Sequence, residues 1–405
     1  MIYSIFLNNN SNFNQIHLLQ RNPSDLQTTM QPCASLIETY NTSNVHQIEL
    51  LKVFFLILQV TYFLQCGQMK SVRNTLKSLQ HYIQSLANKP EDQIDQVALM
   101  SKNPLENFYW LTKDHLGILV YLLTVIHSMQ TGCFDKAQKF TDKALLNLQK
   151  IKLKEQILSQ SSANAFTKNG CTFITNKLHY MLLENQIRCS IAMGNRSQAV
   201  KFIGDAFQLC DQDSRIMHFH SSQLHCILGI YSLSVNSKET ALSQFNQCLK
   251  STNDTDLWLY SAMGLALCQL AAFSSSPQNA NLKNQVFNII DNVIPEKIQT
   301  QNTSLTSLSH YFKALKCFLS SNYQQAQEAL REAILLSNSE ELSNITANSF
   351  LFMGHINFLS NQFQESFNML TNGVDLAEKM PDISLKIYGT TLLKGWNQYF
   401  NLLLI

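Results

Sequence analysis

The chain has 405 residues, 45% hydrophobic and only 14% charged, and its 30 Lys and Arg against 28 Asp and Glu leave a formal charge of +2. An ordinary soluble domain carries ~25% charged residues, so much apolar surface here must be buried with few charges to solvate it. A charge so close to zero creates no field able to hold nucleic acid or an anionic membrane unaided, which excludes direct electrostatic attachment to DNA.

Residues 1–44 are rich in Asn, Gln, Ser and Thr and bury too little apolar area to order themselves; they are expected to be disordered or an error of gene prediction. Their apolar stretch from Ile2 to Leu7 lacks a basic flank and is too short for a signal peptide. From residue 45 to 405 apolar residues recur at three and four, which predicts an all-α chain. The most apolar window, Leu50 to Leu64, contains Lys52 and Gln59 and is read as too short for the ~18 residues of a membrane span. Ten cysteines are scattered without a C-x-x-C, as expected of thiols in a reducing compartment.

A second periodicity lies over the first. A tight turn, an aromatic or polar start, a small residue and a second packing position seven further on recur at Ala137 and Ala144, Ala199 and Ala206, Ala241 and Cys248, Ala326 and Ala333, and Ser366 and Gly373. A weaker copy has Val72 and Leu79. This is the pattern of the second helix of a tetratricopeptide (TPR) hairpin, whose small residues let two helices approach closely. The first small position falls at 72, 137, 199, 241, 326 and 366, so the unit is a degenerate repeat of about 40 residues. The wide gap between 241 and 326 places a further hairpin around Trp258 to Phe273 and Val286 to Pro295. The two long early steps are read as loop insertions near 87–106 and 154–176, where Ala87 to Pro104 and Gln160 to Asn176 are polar and rich in breakers. The predicted fold is thus a TPR-type α-solenoid over 45–405.

No phosphate-cradling loop, dinucleotide fingerprint, zinc-protease helix or nucleophile elbow is present, so neither an enzyme nor a cofactor is expected. His218, His220, His225 and Cys226 are the best metal candidates; His218 and His225 share a helix face but His220 points away, so ordinary helical histidines are expected. His127 is expected in the core. Lys136, Lys139, Lys143 and Lys150, with Lys152 and Lys154 beyond, are read as a solvated helix face.

In a TPR hairpin the first helix lines the concave surface through its second, fifth, ninth and twelfth positions. Counting back from the small residue, these are Phe54, Ile57, Thr61 and Leu64, then Leu119, Leu122, Ile126 and Met129. Further along they are Gln223, Cys226, Ile230 and Leu233; Leu308, Tyr311, Leu315 and Phe318; and Asn348, Leu351, His355 and Phe358. Most are apolar, so the inner surface is expected to be covered. Either the superhelix fills its own interior, or an extended apolar partner segment threads it through Ile57, Leu122, Ile126, Met129, Ile230, Leu233, Tyr311, Leu315, Phe318, Leu351 and Phe358. The Lys and Asn of a carboxylate clamp are missing from the fifth and ninth positions of these helices, which disfavours a co-chaperone.

The segments LLKVFFLILQVTYFLQCGQMKSV, FYWLTKDHLGILVYLLTVIHSMQTGCFDKAQKFTDKAL, QLHCILGIYSLSVNSKETALSQFNQCLKSTNDTDLW and FLFMGHINFLSNQFQESFNMLTNGVDLAEKMPDISLKIY resemble the Mau-two (Scc-four) family, the TPR subunit of the cohesin loader. The similarity runs in order from about Ile48 to Lys394, while Met1 to Asn44 match nothing in that family. The resemblance implies a nuclear, chromatin-associated adaptor that wraps the N-terminal segment of a Nipped-B (Scc-two) type HEAT-repeat subunit. It would meet cohesin and chromatin indirectly, without a membrane or small-molecule substrate, in sister-chromatid cohesion. The rival expectation is a TPR accessory subunit of an enzyme complex such as an N-terminal acetyltransferase, which would require basic residues in the groove.

Overall fold

The computed structural model describes residues 30–37 except 36, 45–87, 111–160, 165–275 and 280–403 except 299. These residues are helical throughout apart from short turns, and no strand occurs among them. The helices pair in chain order: α1 (Val45–Gln65) with α2 (Met69–Ala87), α3 (Lys113–Gln130) with α4 (Phe134–Gln160), and α5 (Ala165–Ala192) with α6 (Arg196–Gln212). There follow α7 (Ser214–Ser234) with α8 (Lys238–Ser251), α9 (Thr255–Ser275) with α10 (Ala280–Ile290), α11 (Thr303–Leu319) with α12 (Tyr323–Ser339), and α13 (Ser343–Leu359) with α14 (Phe363–Glu378). A last helix, α15 (Ile383–Leu403), packs on α13 and α14. The chain forms two compact units, Met1–His127 with Phe140–Ala163, and Ser128–Lys139 with Asn164–Ile405.

The small positions explain the pairing. Val72, Ala137, Ala199, Ala241, Ala326 and Ser366 are each at most 1% exposed, and their second partners Leu79, Ala144, Ala206, Cys248 and Ala333 are equally buried. A short side chain at these points removes the bulk that would hold two helix axes apart. Ser366 shows how a hydroxyl fits there: its O–H donates to the Gly354 carbonyl at 2.8 Å.

Six of the turns within helix pairs share one geometry. A residue in the left-handed region stands at Gly67, Gly132, Gly194, Asn236, Ser321 and Asn361, with φ between 60° and 78°. The following N–H reaches back to a carbonyl of the last turn: Gln68 to Phe63, Cys133 to Ser128, Asn195 to Ser190, Ser237 to Ser232, Asn322 to Cys317 and Gln362 to Asn357, all at 2.7–2.9 Å. These are Schellman closures, which satisfy the orphan carbonyls of a helix end while reversing the chain. Glu341 (φ 60°) makes the same closure between α12 and α13.

The structure departs from the sequence expectation in three places. The second long step is not a loop: α4 has 27 residues and α5 has 28, and only 161–164 between them lie outside the described residues. The segment stays helical because Phe173 joins the apolar cluster of Tyr180, Leu183 and Ile216. The insertion expected near 87–106 lies outside the described residues from 88 onward. Within the leader, residues 30–35 are helical, and Met30, Cys33 and Ile37, spaced three and four apart, bury against Phe54, Leu58 and Tyr62. That amphipathic spacing is enough to dock a short helix on α1, whatever the polarity around it. Finally, Ile48–Gln65 and Thr255–Ser274 are long and apolar enough to cross a membrane, Lys52 and Gln59 not being sufficient to interrupt the first. In this fold α1 packs on α2 and residues 30–37, and α9 packs Leu259, Met263 and Ala266 against Val286 and Ile290 of α10. That pair is the hairpin expected in the wide gap.

Candidate partner-binding face

The eleven candidate inner residues divide by burial. Ile57 (4% exposed), Leu122 (1%) and Leu351 (0%) belong to the core. Leu351 shows why: its Cδ2 stands 2.8 Å from where a Cβ on Gly373 would lie and 3.3 Å from one on Gly389, so it is clamped between α14 and α15. For these three the contact expectation is corrected to a packing role, because hairpin packing and the closing helix claim the fifth position of the first helix there. Ile126, Met129, Ile230, Leu233, Tyr311, Leu315, Phe318 and Phe358 are half-buried and keep part of their surface. Phe358 is largely covered by its neighbours, its ring 5.7 Å from Phe363 and 5.1 Å from Tyr399 of α15.

In the second unit, the inner side chains of α11 and α13 form an aromatic group. Tyr311 and Phe318 both meet Phe352, at 5.4 and 5.3 Å between centroids, and Phe318 also meets His355 at 5.8 Å. Burial pushes the Tyr311 phenol well up, and it pushes Tyr388 of α15 up to about 12. Burial likewise lowers the His355 imidazole, so this surface presents neutral groups at neutral pH.

The hairpin of Ala199 and Ala206, whose inner positions were left out of the sequence expectation, carries an ion pair on its first helix. The same backward count applied to Ala199 gives Met181, Glu184, Arg188 and Ile191 on α5. Arg188 Nη2 donates to Glu184 Oε1 at 2.8 Å, with side-chain exposures of 33% and 17%. The Arg188 guanidinium stands 5.9 Å from the ring of Tyr260 on α9. Tyr260 is 38% exposed, and burial raises its phenol. Extending the register to every hairpin would have found the pair.

The histidines do not converge. His225 Nδ1 pairs with Gln244 Oε1 at 2.8 Å, His218 lies edge-on to Phe219, and His220 stacks on Tyr180 at 4.6 Å. No group of three or more His, Cys, Asp or Glu that could hold a metal occurs among the described residues. His127 is 6% exposed and in the core. The described lysines of α4, Lys136, Lys139, Lys143 and Lys150, alternate with acids and exposed apolar residues such as Leu146 and Leu153. Lys154 pairs with Asp114 at 2.9 Å. Nine cysteines are described, seven of them buried.

Residues 13–398 of this chain match a family described as cohesin loading factor. The chain belongs to the cohesin loading factor family. The match begins inside the leader, so the expectation that residues 1–44 are foreign to the family is corrected from residue 13 onward. The MAU2 chromatid cohesion factor homologs of Drosophila virilis and Drosophila melanogaster are each 35% identical over 384 residues, covering 94% of this chain and 57% and 56% of theirs. The chain therefore spans little more than half the length of these cohesion factors. Among solved structures, a Rap protein complexed with Competence and Sporulation Factor superposes with a TM-score of 0.48 at 9% identity, covering 97% of this chain and 98% of that one.

Proposed function

We propose that this member of the cohesin loading factor family is a non-catalytic adaptor subunit of a cohesin loader. Its concave face holds the N-terminal segment of a Nipped-B type HEAT-repeat subunit in an extended conformation. Through that subunit it supports loading of cohesin onto chromatin in the nucleus, for sister-chromatid cohesion. The observation that carries this reading is the row of half-buried Ile230, Leu233, Tyr311, Leu315 and Phe318 on first helices of one unit. Apolar surface of this kind, on a chain with a net charge of +2, fits an apolar polypeptide far better than a polyanion.

The test is co-purification with the N-terminal few hundred residues of the Nipped-B type partner. A stoichiometric complex is expected, weakened at least about 100-fold by Leu315→Asp or Phe318→Asp, because a carboxylate buried without a partner in the interface is unfavourable by several kcal/mol. Absence of binding by the wild-type chain, or binding unchanged in both variants while each remains folded, overturns the reading.

A further inference from the structure

We propose that the exposed side of α4 is a second docking face, and that its occupant is an acidic amphipathic helix of another protein. The proposal stands whether or not the function proposed above does. α4 has two opposite apolar sides. Ala144, Leu148 and Ile151 make the buried one, at 0%, 2% and 5% exposed. Leu146, Leu153 and Ile157 lie on the other, at 59%, 59% and 70%, and no large apolar side chain among the described residues is more exposed than Ile157. A single leucine in water is ordinary, whereas three on one side of one helix leave a continuous apolar strip.

The spacing says what lies along that strip. Leu146, Lys150, Leu153 and Ile157 follow at steps of four, three and four, the stagger by which one helix meets a second lying alongside it. In that register they alternate d, a, d, a, and Lys143 is the a position before them. Lys143 and Lys150 are both exposed, so the seam carries two cations among three apolar residues. Lys154 on its flank is already bound to Asp114 at 2.9 Å, and Asp142 stands at the margin.

The two seam lysines select the partner. A second copy of this chain would bring Lys150 against Lys150 whether the helices ran parallel or antiparallel, since Lys150 is the middle of the five seam positions. A nucleic acid asks for an unbroken row of cations, and Leu146, Leu153 and Ile157 interrupt this one. A helix with Leu or Ile along its own seam, and Glu or Asp opposite Lys143 and Lys150, satisfies both halves. It covers the apolar strip and neutralises each ammonium while the lysine stems still pack.

The test uses the full chain and a synthetic helical peptide of about three heptads, with Leu at its seam positions except for Glu facing Lys143 and Lys150. A second peptide carries Lys in place of each Glu. Fluorescence anisotropy should show the acidic peptide binding at least about 10-fold tighter than the basic one, with the gap narrowing in high salt. Leu153→Asp and Ile157→Asp should each weaken the acidic peptide at least about 10-fold at an unchanged melting temperature, because both side chains are exposed in the free chain. Lys150→Glu should reverse the preference between the two peptides. In cells, a photo-crosslinking amino acid at Ile157 should capture a helix-forming segment with carboxylates in this register, and a peptide of that segment should bind the wild-type chain but not Leu153→Asp. Equal affinity for the acidic and basic peptides, or affinity unchanged in both aspartate variants, overturns the proposal. Capture of a second copy, or of another part of the same chain, also overturns it.

Discussion

The ring of Phe245 in α8 packs against two glycines. A Cβ on Gly229 would fall 2.8 Å from its ring, and one on Gly264 would fall 2.6 Å from it. The ring is 1% exposed and has nowhere to move, so Gly229→Ala or Gly264→Ala should each destabilise by about 1–3 kcal/mol, measured as a shift in the urea midpoint. Combining either with Phe245→Leu should recover part of that loss, since the smaller side chain vacates the contact. His220 carries a different residue-scale strain. Both its ring nitrogens are buried without partners, it stacks on Tyr180, and burial together with the nearby Lys177 depresses it to about 4. The unfolded chain takes up a proton near pH 6.5 that the folded chain refuses, so stability falls as pH drops from about 6.5 toward 4 and is unaffected above that window. In His220→Phe the melting temperature should fall less over that range than in the wild type; equal falls would show that the group is not buried as described.

At the scale of the element, the hairpin depends on small residues and on left-handed turns. Ala199 and Ala326 are fully buried where paired helices cross, so Ala199→Leu or Ala326→Leu should force the helices apart and unfold the hairpin locally, seen as faster amide exchange in α6 or α12. The turns are unequal. Three use glycine, but Glu341 adopts φ 60° with a full side chain. Glu341→Gly removes that strain and should raise stability by about 0.5–1 kcal/mol, less than the full relief because glycine is freer when unfolded. The hairpins themselves were legible as sequence, because a small residue that returns about every 40 residues, each time just after a turn, is the mark of stacked helix pairs. The long α4 and α5 were not: residues 165–176 include Gly170 and several polar side chains, yet they are helical, and Phe173 packs on the apolar cluster shared with the neighbouring hairpin.

At the scale of the whole molecule, the second unit closes on itself. The Gly132 turn faces Met380, whose Sδ would lie 2.8 Å from an added Cβ, and the Gly194 turn faces Ile383, whose Cδ1 would lie 2.9 Å from one. Turns far apart in sequence thus rest on the segment around α15, and removal of α15 should expose the aromatic group of α11 and α13 and promote aggregation in light scattering. Binding of the proposed partner segment should be driven by apolar contact, so its affinity should change by less than about threefold between low and high salt. A steep salt dependence would mean that charge, not the apolar face, holds the partner.

Residue order alone determined the fold class, the repeat and the family, because helical periodicity and small-residue spacing are local features that any one hairpin displays. It also marked the inner face as poor in charge. Which inner residues remain available was decided only by tertiary packing. Leu351 and Tyr311 hold the same register position, but Gly373 and Gly389 let α14 and α15 close over Leu351, while Tyr311 stays half-buried beside Phe352. Burial is a property of everything that surrounds a side chain, and sequence spacing reports only its nearest turn.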